Sequence, residues 1–274
     1  MVSKTPASAF LLVLPLLISL CLFACSKVPL SGREQLNLVP ESSLISTSTQ
    51  QYQQFLESHQ VIRNTSQGKE VKRVGQRIAQ AVEEYFTRQH RQEVLKDYHW
   101  EFNLVASSEA NAWAMPGGKV VVYKGILPIT RTDAGLAAVI GHEVAHVVAK
   151  HGNERMSQQL IAKMGGMALS TALAKEPAAT QQLWSQVFGV GTQVGVLLPF
   201  SRLQESEADR LGLIFMAMAG YDPHAAIGVW QRMMQLQGAR TTPEFLSTHP
   251  SDAKRIRDIR REIPEAMPYY TPRP

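Results

Sequence analysis

The 274-residue chain has only two cysteines, Cys21 and Cys25, both within its first 25 residues. The remainder can form neither an internal disulfide nor a cysteine-based zinc site, so histidine and carboxylate are the available metal ligands. Long uninterrupted apolar runs are also missing. Phe10–Phe23 is shorter than the ~20 residues a spanning helix needs, and Pro15 breaks it. The net charge of +5 comes from scattered basic residues with no nucleic-acid motif around them, so no nucleic-acid partner is expected. No internal repeat is present, which excludes a solenoid. An apolar content of 45% with 19% charged residues excludes wholesale disorder.

What is present begins with Lys4 followed by the short apolar run, the pattern of an export signal over residues 1–24. Leu22-Phe23-Ala24-Cys25 resembles the bacterial lipobox, which makes Cys25 the expected lipidation site and membrane tether. Ser26, rather than Asp, follows the cysteine and resembles an outer-membrane address, so the expected location is the periplasmic face of the outer membrane. Residues 25–50 are rich in Ser, Thr, Pro and Gln and read as a tether or extended arm. Residues 51–265 read as the folded domain, with 266–274 as a C-terminal tail.

Within the domain, Val71, Val74, Ile78, Ala81, Val82 and Tyr85 recur at helical spacing and predict an amphipathic helix. Residues 98–130 change to strand character. Trp100, Phe102, Leu104 and Val105 mark one strand, Asn111–Met115 a second, and Lys119–Tyr123 a third after the Pro116-Gly117-Gly118 turn. A small antiparallel sheet with a free edge would take an extended peptide by strand addition. The candidate substrate-binding residues are Asn111, Ala112, Trp113, Val120, Val121 and Val122; the alternative is a buried hairpin with no binding role. Thr132 or Asp133 can cap a following helix whose apolar face is Leu136, Val139, Ile140, Val144 and Val147, and Gly152 can end it. Residues 157–200 are apolar and rich in Gly and Ala, and predict helices packed over or beside the site as a lid, with membrane insertion as the alternative. Further helices are expected over 202–219, 223–237 and 250–262.

The chemistry sits at His142-Glu143-Val144-Ala145-His146. Two imidazoles four residues apart on a helix share a face and can reach one divalent ion, and Glu143 beside them can work as a general base. A catalytic zinc takes three protein ligands and keeps a place for water. A third histidine six residues beyond His146 is absent, since Gly152 stands there; His151 misses the register and reads as structural. Ser201–Asp209 offers a carboxylate instead. Glu205 and Asp209 share a helical face while Glu207 points elsewhere, so Glu205 is the candidate ligand and Asp209 the residue that orients a ligating imidazole. The alternative is an exposed acidic helix start.

These motifs, with Asn111–Gly118, Ser201-Arg202, Ala208-Asp209, and Ser247-Thr248-His249-Pro250 followed by Arg255, resemble the HtpX and CAAX-prenyl-endopeptidase family of zinc metallopeptidases over about residues 65–262. The likeness is greatest to periplasmic lipoprotein members of the LoiP and BepA kind and to mitochondrial Oma-type proteases. It implies an α+β, mainly α-helical zincin-like fold with a small antiparallel sheet beside the metal helix. It also implies one Zn²⁺ per chain on His142, His146 and Glu205, with Glu143 as the base. His249 and Arg255 become candidate catalytic residues that stabilise the oxyanion, with a metal-blocking resting role as the alternative for His249. The resemblance implies cleavage of unfolded or misassembled envelope proteins, with outer-membrane assembly factors or other proteases as partners. A zinc-containing chaperone with little proteolysis is the competing reading. Prenyl-protein cleavage is not expected, because no clear spanning helix follows the signal.

Overall fold

The computed structural model describes residues 25–28, 31–164, 201–236, 244–250 and 253–272. In chain order the described elements are β1 (Cys25–Lys27), β2 (Glu34–Leu36), α1 (Glu41–Ser58), β3 (Val61–Ile62), α2 (Ser66–Arg88), β4 (Glu101–Val105), β5 (Ala112–Met115) and β6 (Lys119–Tyr123). They continue with α3 (Leu127–Thr130), α4 (Asp133–Val148), α5 (His151–Met164), α6 (Arg202–Met218), α7 (Ala225–Leu236), α8 (Glu244–Thr248) and α9 (Ala253–Ala266). No helix among the described residues is long and apolar enough to cross a membrane.

The α+β fold expected from the sequence is the one observed. The stripe from Val71 to Tyr85 forms the buried face of α2, whose first turn is held by Thr65 accepting the Gly68 N–H. Thr132 caps α4 in the same way through Gly135. Ser201 and Gln204 satisfy each other's backbone N–H groups in a capping box that fixes where α6 starts. That box sets the height of Glu205, in the first turn of the helix.

One four-stranded sheet has the order β3-β4-β6-β5. Its outer pairings are antiparallel, but β4 and β6 run parallel, with Glu101 opposite Lys119 and Val105 opposite Tyr123. The Pro116-Gly117-Gly118 turn joins β5 to β6, and β6 then inserts between β5 and β4. One face carries Phe102, Leu104, Val120 and Val122 into the main core with α2, α4, α6, α7 and α9. The other carries Val105, Met115, Val121 and Tyr123 into a second core with Leu44, Tyr52 and Phe55 of α1 and Met156 of α5. Burial on both faces explains the unbroken Val120-Val121-Val122 run. It also corrects the substrate assignment: Val120, Val121 and Val122 lie on a strand paired on both sides and fully buried, so they offer no edge. The outer strand on that side is β5.

Residues 25–50 are not an extended arm. Cys25–Lys27 pairs with Glu34–Leu36, and α1 begins at Glu41, inside the expected tether, and runs through the expected domain boundary at 51. Leu44, Tyr52 and Phe55 are buried on the sheet, which gives a Ser/Thr/Gln-rich helix its reason to form. At the other end α9 runs to Ala266, which is buried, so the expected tail begins inside the helix. Gly152 does not end α4. That helix stops at Val148, Lys150 takes a left-handed φ of 57°, and α5 restarts at His151 with Gly152 inside it. The expected lid over 157–200 falls within α5 up to Met164 and beyond that lies outside the described residues.

The metal helix is buried from Gly135 to Val148. It packs against α6 at a glycine crossing: a Cβ added to Gly212 would lie 2.9 Å from the backbone nitrogen of His142. Only glycine permits this approach, which brings the imidazoles of α4 within reach of the carboxylates of α6.

Candidate metal centre

His142 and His146 project from one face of α4, with their Nε2 atoms 3.0 Å apart. Glu205 reaches in from α6, its Oε2 3.6 Å from His142 Nε2 and its Oε1 3.3 Å from His146 Nε2. His249, just after α8, adds a fourth donor. Its Nδ1 lies 3.2 Å from His142 Nε2 and 2.9 Å from Glu205 Oε1. One ligand atom from each of these four buried residues falls within 4.8 Å of all the others. A tetrahedral zinc with bonds of about 2.0–2.2 Å separates its donors by about 3.3–3.6 Å, so the residues fit such an ion in chemistry and, to within a few tenths of an ångström, in spacing.

The surroundings favour ligation. Burial pulls the His142 imidazole down against the opposing pull of Glu205 and Asp209, and holds His146 well below the usual range. Neutral imidazoles keep a lone pair for a metal. Burial alone would raise Glu205, yet Arg255, His249 and His142 outweigh it and hold the carboxyl well below its ordinary value, as a ligand carboxylate requires. His142 Nδ1 lies 3.0 Å from Asp209 Oδ1, which fixes its ring so that Nε2 faces the other donors.

Glu143 points to the same centre. Burial raises its carboxyl to about 7, against the pull of His249. Its Oε1 is buried without a hydrogen bond, 3.4 Å from His249 Nε2. The Ala114 backbone on β5 lowers the Glu143 carboxyl slightly against that burial, so the outer strand passes close to this side chain. Asn111 closes the start of that strand, its side-chain oxygen accepting the Ala112 N–H at 2.9 Å. Trp113 is partly exposed and packs edge-on against Phe55 and Tyr52 of α1.

Arg255 is not free to meet a substrate oxyanion. It is buried, its Nε and Nη2 each 2.8 Å from an Asp209 oxygen and its Nη1 2.6 Å from Glu205 Oε2. Its guanidinium carbon stacks 3.4 Å over the Trp230 ring. The catalytic expectation is corrected accordingly: the packing of α9 against α6 spends this cation on the two carboxylates.

The sequence reading also missed part of the site. His151 Nδ1 lies 2.9 Å from His146 Nδ1, and its Nε2 lies 3.0 Å from Glu207 Oε2. A continuous helix would carry residue 151 away from residue 146. The left-handed Lys150 restarts the chain and turns the ring back, and no spacing rule encodes that.

A His-Glu-x-x-His helix met by a glutamate from a second helix defines the class: this is a metallopeptidase centre. The chain belongs to peptidase family M48, whose profile matches residues 66–263. It is 42% identical to the mitochondrial metalloendopeptidase OMA1 of Schizosaccharomyces pombe over 174 residues, 63% of this chain and 49% of that protein. It is 33% identical over 178 residues to the human mitochondrial metalloendopeptidase OMA1, 63% of this chain and 34% of that protein. It is 29% identical over 187 residues to the beta-barrel assembly-enhancing protease of Escherichia coli K12, 65% of this chain and 37% of that protein. The aligned stretch thus spans about half, or less, of these relatives.

Proposed function

We propose that this chain is a zinc-dependent endopeptidase of the bacterial cell envelope, tethered through lipid on Cys25, that cleaves unfolded or misassembled envelope proteins. The observation that carries the reading is the set of four buried donors, His142, His146, Glu205 and His249, with the Glu143 carboxylate beside it. The envelope location is supported by the signal-like run and the lipobox-like Leu22–Cys25. The named role of the E. coli relative in beta-barrel assembly supports an envelope substrate.

His142, His146 and Glu205 would hold the ion, which when bound supplies Lewis acidity toward a scissile carbonyl and makes water more acidic. Glu143 takes the proton from the attacking water and delivers it to the leaving amine. The outer strand β5 lies beside Glu143 and aligns an extended peptide along Ala112–Met115. Asp209 fixes the His142 ring, and Arg255 fixes Asp209 and Glu205. His249 sits where it either meets a substrate oxygen or closes the fourth position at rest.

The test is cleavage of denatured casein with and without a chelator, beside Glu143→Gln. The enzyme loses cleavage in both cases, and Glu143→Gln keeps its zinc. A Glu143→Gln protein that cleaves like the parent sinks the reading and favours a zinc-containing assembly factor.

A further inference from the structure

We propose that Arg33, from the N-terminal hairpin, is a positioning residue for the metal centre that acts on His146 through Glu207 and His151. The proposal rests on the metal reading above and extends the site to a segment outside the family match.

The Arg33 guanidinium spans two carboxylates from two helices. Its Nη1 and Nη2 lie 2.7 and 2.9 Å from the oxygens of Glu154 on α5. Its Nε lies 3.0 Å from Glu207 Oε2 on α6. Ser31 Oγ donates to the other Glu207 oxygen. Gln204, from the capping box of α6, donates to Glu154 at 2.8 Å. Glu154 and Glu207 are almost wholly buried, so the arginine is the cation that neutralises both.

The direction of the hydrogen bonds carries this grip to the metal. An ionised carboxylate only accepts, so His151 Nε2 donates to Glu207. With that proton on Nε2, His151 accepts at Nδ1, and the group facing that atom is His146 Nδ1 at 2.9 Å. His146 donates there and keeps its lone pair on Nε2, the atom that faces His142 and Glu205. His142 receives the same treatment from Asp209, gripped by Arg255. His142 and His146 are therefore each oriented by a carboxylate that an arginine holds, directly for His142 and through one further imidazole for His146. Arg255 lies within residues 66–263, whereas Arg33 precedes them.

The hairpin is built to hold this position. Val28 is buried in the main core, and Gly32 turns the chain with a φ of 68°, its N–H bonded to the Val28 carbonyl. After β2, Leu38 donates to Ser157 at 2.8 Å, and the Val39 carbonyl accepts from Asn153 at 2.8 Å. Both partners lie on α5 beside Glu154.

The test measures the zinc dissociation constant of the full chain by competition with a chromophoric chelator. Arg33→Ala, Arg33→Lys and Glu207→Gln are compared with Arg210→Ala, which removes an exposed ion pair to Glu265 on the same helix as Glu205. Glu207→Gln weakens zinc binding about tenfold or more, the usual effect of losing a residue that orients a ligand. Arg33→Ala weakens it about threefold or more, Arg33→Lys recovers part of the loss, and Arg210→Ala leaves it unchanged. The Co²⁺-loaded chain shows a shifted visible spectrum in Glu207→Gln. Zinc bound as tightly by Arg33→Ala and Glu207→Gln as by the parent overturns the proposal, whatever happens to their melting temperatures. A parent chain that binds no zinc overturns the metal reading itself.

Discussion

His249 Nδ1 lies 2.9 Å from Glu205 Oε1, although Glu205 lies in the first turn of α6 and His249 follows the end of α8, 44 positions along the chain. The contact puts a third imidazole where an open metal site would keep its water. Charge from Glu205 and Glu143 raises the His249 imidazole despite the lowering effect of burial. The first prediction concerns this ring. His249→Ala keeps its zinc and raises basal cleavage of denatured casein, because the closing donor is gone. A loss of about tenfold with zinc retained assigns His249 instead to stabilising the substrate oxyanion.

Arg255 is the second test. It is buried against Trp230 and neutralises Asp209 and Glu205 together. Removing one member of a buried ion cluster leaves the others uncompensated, at a cost of about 3–5 kcal/mol. Arg255→Ala should therefore show a large fall in urea-unfolding free energy as well as weakened zinc binding. Loss of activity at unchanged stability would return Arg255 to a direct role on substrate.

The crossing of α4 and α6 supplies the third. A Cβ at Gly212 would meet the His142 backbone nitrogen at 2.9 Å and the Gly141 carbonyl carbon at 3.0 Å. Both are backbone atoms that cannot swing aside. Gly212→Ala is expected to destabilise the chain by about 1–3 kcal/mol and to weaken zinc binding, since Glu205 lies two turns away on the displaced helix. Thermal unfolding and chelator competition measure the two effects; a neutral Gly212→Ala contradicts the close-packed crossing.

Glu262 on α9 provides a test of pH dependence away from the metal. Its Oε2 is buried without a hydrogen bond. Burial first, and the charge of Asp209 second, push its carboxyl up to about 7 from an ordinary 4.5. The folded state then holds a proton that the unfolded state releases, so this group's contribution to stability falls as pH rises from about 4.5 to 7 and stays lower above that. Glu262→Gln should raise the melting temperature near pH 8 and leave it unchanged near pH 4. Equal effects at both pH values rule out the ionisation as the cause.

The local parts of this structure were legible in the sequence. The stripe from Val71 to Tyr85, the Thr132 cap and the His142–His146 spacing depend on neighbours within a turn or two, and each stands where the pattern placed it. So does the common face of Glu205 and Asp209 on α6. The rest depended on distant partners. The polar helix α1 forms because Leu44, Tyr52 and Phe55 find the far face of the sheet, which no local pattern announces. The parallel pairing of β4 with β6 needs the chain to pass through β5 first. His151 reaches His146 only because Lys150 adopts a left-handed conformation that glycine more commonly supplies. Arg33 lies 121 residues from Glu154 in sequence, and only the folded hairpin brings them together.

The most direct measurement is the metal content of the purified chain, by elemental mass spectrometry, beside Glu205→Gln. About one zinc per chain is expected in the parent, with most of it lost in Glu205→Gln after dialysis against a mild chelator. Equal zinc in both proteins, or none in the parent, contradicts a centre built from His142, His146 and Glu205.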